Sequence, residues 1–277
     1  MNVIVLPVSY TPAAASVIRT VLRHGLRSAI RSRGIVIFAI AMFIVTEAVL
    51  RLAGTAPRAI VSLIQVVLLV VPLVSILFAV IAWHASREFH ELLLTQPVAR
   101  RTLFTGLYLG LIVPLGASFA LGTILPFVIH RTLTADVLPL LATLIGTGVA
   151  LTFVFGGIAV LIAVLVDDRL RAVGIALACW LALSVAYDGL VLLVATTLSH
   201  YPLERPMLAM TLLNPVDLGR ALIVLRSDSA ALMGYTGAVM ARFLGSSLGT
   251  IAAALGMMLW IVIPAWAGRR AFERRDF

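Results

Sequence analysis

HASREFHELLLTQPVARR, residues 84–101, is a polar break between two long apolar runs. Those runs, 60–83 and 103–128, contain no charged residue, and each exceeds the roughly 18 residues that mark a membrane-crossing helix. Two crossings joined by so short an island put both of its ends on one face of the membrane. The fold class expected from this stretch is an all-α integral membrane protein.

Working outward, the same hydropathy pattern predicts six spans, at about 34–50, 60–83, 103–128, 138–166, 172–198 and 245–266. Arg51 and Arg58 bracket one short turn, and 130–136 forms another. Loop 167–171 is tight and charged, while 199–244 is longer and less apolar. Of the 277 residues 62% are hydrophobic and only 12% charged, with mean hydropathy +1.12. A soluble domain carries about a quarter charged residues. With no internal repeat and no low-complexity linker, 1–277 reads as a single transmembrane domain. Pro114 and Pro126 predict local kinks in the third span, and Gly106-x-x-x-Gly110 has the spacing of a close helix approach.

Orientation follows from arginine placement. The N-terminal arm, the island, loop 167–171 and the tail hold 14 arginines, and the remaining loops hold 7. The positive-inside rule therefore predicts both termini and the island in the cytoplasm, and no cleaved signal peptide is read. Within the arm, Arg19, Arg23, Arg27 and Arg31 recur every four residues beside a matching stripe of Ile18, Leu22, Leu26 and Ile30. Like charges at that spacing repel on an isolated helix, and anionic headgroups relieve the repulsion. An amphipathic interfacial helix over 13–33, resting on membrane lipids, is the expectation; an irregular basic flank is its alternative.

All 21 basic residues are arginine. A Walker A loop and a Schiff base both need a lysine, so this chain holds neither, and ATP would have to bind a separate subunit. Cys179 is the single cysteine, which excludes an intrachain disulfide. His200, Met207 and Met210 cluster in 199–244, but methionines there are more often packing residues, and no metal site is assigned. No catalytic Ser/His/Asp set or carboxylate pair can be placed. The arginines flank membrane spans, so they do not point to nucleic acid. The chain reads as a non-catalytic subunit without its own cofactor.

Locally, the island predicts a short helix. Ser86 can cap it, Glu88 suits its first turn, and Pro97 stops it before Arg100. Phe89, Leu92 and Leu93 share one face, flanked by Arg87, Glu88 and Glu91. So short a helix is marginal in water; its apolar face asks for a protein partner, or else dips into headgroups as part of a solvated loop.

Two other places draw notice. Asp188 falls within the fifth span, where an acid costs about 2.5–3.5 kcal/mol to insert. It is either a pathway or gate residue or a polar pin between helices, and nothing near it in sequence supplies a cation. Glu47 is expected to pair with Arg51 at i,i+4. In 199–244, Asn214 is a good cap, Pro215 suits the first helical position and Asp217 the positive end. Leu218, Leu222 and Leu225 then form a stripe, predicting a short helix that lies on the outer rim or dips inward.

HELLLTQPVARRTLFTGLYLG, from His90 onward, resembles the first cytoplasmic loop of ABC-2-type permeases, and within them the NosY-type permeases of the nitrous-oxide reductase (multicopper enzyme) maturation transporter. Ala186-Tyr187-Asp188-Gly189-Leu190-Val191-Leu192-Leu193 resembles that family's fifth span. Leu212-Leu213-Asn214-Pro215-Val216-Asp217 with Arg220 resembles its outer segment, and Phe272 to Arg275 its basic tail. Arg87-Glu88-Phe89-His90 departs from the acidic cluster with Gly-Thr usual there.

The resemblance implies a homodimer of six-span chains in a bacterial or archaeal inner membrane, docked on cytoplasmic ABC ATPase subunits that bind ATP and Mg. The coupling contacts would be Arg87, Glu88, Phe89, Glu91, Leu92, Leu93, Pro97 and Arg100. The translocation path or gate would use Asp188, Asn214, Pro215, Asp217 and Arg220. A role in metalloenzyme maturation, with an extracytoplasmic partner, would follow for the narrower branch. The alternatives are an exporter of lipid, drug or peptide, a membrane anchor or assembly factor without transport, and a membrane-embedded enzyme.

Overall fold

The computed structural model describes residues 32–94, 99–197, 204–224 and 247–275, and among these there is no strand. The helices are α1 (Arg33–Ala53), α2 (Ala56–Ala85), α3 (Arg87–Leu94), α4 (Arg100–Ile129), α5 (Val137–Leu165), α6 (Arg169–Thr197), α7 (Glu204–Leu213), α8 (Pro215–Val224) and α9 (Ser247–Arg274). Helices α1, α2, α4, α5, α6 and α9 contain the six stretches long and apolar enough to cross a membrane. A backbone in hydrocarbon must satisfy its own polar groups, which is why apolar runs of this length become helices. The arm with Arg19, Arg23, Arg27 and Arg31 lies outside the described residues, as do Pro97, His200 and Leu225.

Local chemistry sets the boundaries. Helix α1 ends at Gly54, whose φ of 72° needs no Cβ, and Pro57 sits in the first turn of α2. Asp168 caps α6 by accepting a 2.7 Å bond from the Arg171 amide. Helix α4 runs unbroken through Pro114 and Pro126, so the expected kinks do not divide it. Glu47 accepts a 2.6 Å bond from Arg51, as its spacing predicts, and also meets His130 Nε2 at 2.9 Å.

Helix α5 is the centre of the bundle, packed by α2, α4, α8 and α9. In its most apolar window 67% of residues are buried, against 6% for α6, which therefore stands at the edge, packed on the bundle by one face through Ala172, Ala176 and Trp180. Lipid tails are as apolar as leucine, so such helices associate through close packing rather than hydrophobic exclusion. Helices α1 and α4 show the close packing plainly. A Cβ on Gly122 would lie 2.5 Å from the Ala39 carbonyl oxygen and 2.9 Å from Met42 Cβ.

The segment after the fifth span dips inward. Helices α7 and α8 meet at 111° across Asn214. Leu218, Ala221 and Ile223 of α8 are fully buried, with α8 wedged among α2, α5 and α9. Of the two placements open for this helix, the rim is thus excluded. Gly219 makes the wedge possible, because a Cβ there would lie 2.9 Å from Thr147 Cγ2.

Gly122→Val should force α1 from α4 and lower stability by about 1–3 kcal/mol, the usual cost of overpacking. Gly146→Ala, which meets nothing within 4 Å, should be near neutral. Thermal unfolding in detergent compares the two.

Candidate functional site

At the arginine-rich end, α3 hangs from α2 by a tight turn. Ser86 does not cap α3 with its hydroxyl; its Oγ donates back to the Ala82 carbonyl at 3.0 Å, finishing α2 instead. His90 is buried against Trp83, their rings 4.6 Å apart. Trp83 also packs edge-on against Phe272 of α9, at 6.1 Å. His84 Nε2 lies 3.1 Å from the Val166 carbonyl oxygen, anchoring the end of α2 to the turn before α6.

Charges tighten the same corner. Arg87 reaches Asp167 at 2.9 Å, and Arg275 of the tail meets the same carboxylate and the Val164 carbonyl. Arg100 donates to the Glu273 and Arg275 carbonyls at 3.0 Å, and Arg101 meets Glu273 at 3.1 Å. The island is therefore braced by α9 and by the α5–α6 turn, partners far away in sequence.

The expected apolar face of α3 divides. Phe89 and Leu92 point outward, 48% and 68% exposed. Leu93 instead packs into the core and belongs to the foundation of the island. Arg87 and Glu88 are exposed, and Glu91 lies in the same helix.

The second polar centre lies between α6 and α8. Helix α6 widens into a π turn at Ala182–Ala186, just before Asp188. Asn214, fully buried at the α7–α8 break, donates from Nδ2 to the Leu183 carbonyl of that turn at 2.8 Å. Its Oδ1 accepts from the Val216 amide at 2.8 Å, and its own carbonyl from the Leu218 amide at 3.0 Å. The cap expected of Asn214 is present, with Pro215 next to it inside α8. Tyr187 adds a 2.7 Å bond to the Met210 carbonyl.

This arrangement supplies the cation that the local sequence of Asp188 lacks. Arg220 Nη2 lies 2.8 Å from Asp188 Oδ2, and its Nη1 3.0 Å from Asp217 Oδ1. Asp188 is thus one arm of an ion-pair triad bridging two helices. Asp217 is the buried member; the Arg220 and Asp188 side chains are 25% and 40% exposed.

A sequence model of the ABC-2 family transporter proteins matches residues 19–277. The chain belongs to that family. This ABC-2 permease is also similar to the probable ABC transporter permease protein NosY of Pseudomonas aeruginosa, with 29% identity over 226 residues that cover 77% of each chain.

Two outcomes are expected. Arg220→Gln would leave Asp217 buried without its cation and destabilise the α6–α8 junction by about 3 kcal/mol; adding Asp217→Asn should recover much of that loss in a thermal melt. At the other end, burial pushes the His90 imidazole down from 6.5 to about 4. Seated α3 therefore favours neutral His90, and its stability is complete above pH 6.5 and lost as pH falls toward 4. Protonation would also add charge beside Arg87, His84 and Arg275, which share its small cavity. Hydrogen exchange of 87–94, corrected for intrinsic rates, should rise over that interval and should not do so in His90→Gln.

Proposed function

We propose that this permease subunit lines a translocation path between two copies of itself and couples that path to a separate ABC ATPase through α3. The arginine-rich end faces the cytoplasm in this reading, as the positive-inside rule requires. Family membership is consistent with an ATPase partner, and a chain without lysine has no P-loop of its own.

One observation carries the path. Asp188 and Arg220 sit on a membrane-spanning helix and a re-entrant one, yet remain partly open. A charge pair turned toward hydrocarbon is expensive, so such groups face a water-filled cavity or another protein surface. Helix α6 also leaves an outer apolar face, with Leu177, Leu181, Val185 and Leu192, exposed at the edge of the bundle. Two α6 edges opposed across a polar path satisfy both facts. Asp188 and Arg220 then act as the gate, while Asn214, Pro215 and Asp217 hold the gate's backbone.

The coupling surface is Phe89 and Leu92 with the charged rim of Arg87 and Glu88. Exposed aromatic and aliphatic side chains ringed by charge have the form of a protein-docking patch. The braced corner of Asp167, Glu273 and the tail gives that patch a rigid base. The similarity to a NosY permease supports a narrower assignment to metalloenzyme maturation, with a partner on the opposite face of the membrane. Of the Arg87–His90 departure, Arg87, Glu88 and Phe89 fall on the docking patch while His90 is buried beneath it, which fits an ATPase surface of different charge.

Phe89→Glu and Leu92→Glu should each abolish substrate-stimulated ATP hydrolysis and transport in the reconstituted complex, with membrane insertion unchanged. Retention of both activities in both variants overturns the coupling role. In a host strain, failure to assemble a multicopper enzyme when Leu92→Glu replaces the native subunit would support the narrower assignment.

A further inference from the structure

We propose that a crevice between α5 and α9, at their arginine-rich ends, binds the phosphate headgroup of an anionic membrane phospholipid, whose acyl chains run along the two helices. The crevice is an open groove of about 610 Å³ that contains no residue of α3 or of the Asp188–Arg220 pair, and it adjoins the braced corner through Asp167 and Arg275. Its apolar wall is made by Leu161, Val164 and Leu165 of α5 and by Trp266 of α9. Leu165 and Trp266 are 64% and 47% exposed, where the two spans approach their charged ends. An indole at that level is the amphipathic anchor of a membrane–water boundary.

Above the apolar wall the crevice is cationic. Arg270 and Arg274 follow Trp266 at steps of four residues and so share its face of α9. The Arg270 guanidinium lies 4.6 Å from the centroid of the Trp266 ring. Asp167 is the one acid on the wall, and Arg87 and Arg275 already engage it. Glu273, on the same helix, is met by Arg101 and Arg269. Among the described residues, neither Arg270 nor Arg274 forms an ion pair with an acid.

Two like charges four residues apart repel, and a phosphate between them removes the repulsion. A soluble anion would satisfy the arginines but leave Leu165 and the Trp266 ring uncovered. A zwitterionic lipid would cover the apolar wall but bring no net charge. An anionic phospholipid answers both halves of the surface.

The test uses the full chain in phosphatidylcholine vesicles containing a minor fraction of brominated phosphatidylglycerol or brominated phosphatidylcholine. Quenching of Trp266 is read after subtracting the signal of Trp266→Phe, which leaves Trp83, Trp180 and Trp260. The expected result is stronger quenching by brominated phosphatidylglycerol. That preference should fall about thirtyfold in the Arg270→Gln/Arg274→Gln double variant and persist in the Arg270→Lys/Arg274→Lys double variant. If the neutral double variant fails to insert, the two single glutamine variants read the same ratio, each expected between wild type and none. Equal quenching by the two lipids, as would follow if a protein segment filled the crevice, overturns the proposal. So does a preference that survives in the glutamine variants. Loss of the preference on adding millimolar inorganic phosphate would make this a soluble-anion site and overturn the lipid assignment.

Discussion

The hydrogen bond from Asn214 to the Leu183 carbonyl joins two irregular backbones inside an apolar bundle. A chain that turns within hydrocarbon has no water to satisfy its freed amides and carbonyls. Here the break between α7 and α8 meets the widened turn of α6, and one buried amide side chain serves both. Remove that junction and α8 has no fixed depth. Arg220 would then lose its position opposite Asp188, and the triad would become three separate charges in a medium that penalises each. The functional geometry rests on backbone bookkeeping before it rests on charge.

The two ends of the molecule use polar groups in opposite ways. Between α6 and α8 a few charges are concentrated where one acid is buried and the other pair is half open. At the arginine-rich end many charges are spread over an exposed corner, where each ion pair contributes little by itself. Their combined effect is geometric. Arg87, Arg101 and Arg275 tie α3, α4 and the tail to shared acids, while the Trp83, Phe104 and Phe272 rings fill the space beneath. The exposed face of α3 is then presented on a fixed base, although so short a helix would not persist alone.

The spans and the island were legible in the sequence because hydropathy and helix breakers are local signals. The Glu47–Arg51 pair and the Asn214 cap were legible for the same reason. The Asp188–Arg220 pair was not, because its members lie 32 residues apart, with α7 and its 111° bend into α8 in between. Asp217 and Arg220 also depress the apolarity of α8, so a buried re-entrant helix reads as a surface one. Leu93 shows the limit of face assignment. On so short a helix, i, i+3 and i+4 positions span enough of the circumference for one to turn inward. The Ser86 hydroxyl can donate to a carbonyl behind it or accept from an amide ahead of it, and only the fold decides that it closes α2 rather than opening α3.

Helix α2 spans thirty residues, a rod of about 45 Å. At one end it carries Trp83 and the turn into α3. Along its length it touches both elements that hold the triad. Leu68 packs at the Gly219 position of α8, and the Leu69 carbonyl accepts a 3.2 Å bond from the Trp180 indole of α6. A force applied at Phe89 or Leu92 would reach the housings of Arg220 and Asp188 through the half of α2 that lies between Trp83 and Pro72. How far such a push would travel depends on the bending stiffness of one helix, which is weakest at Pro72, where the ring removes a backbone hydrogen bond.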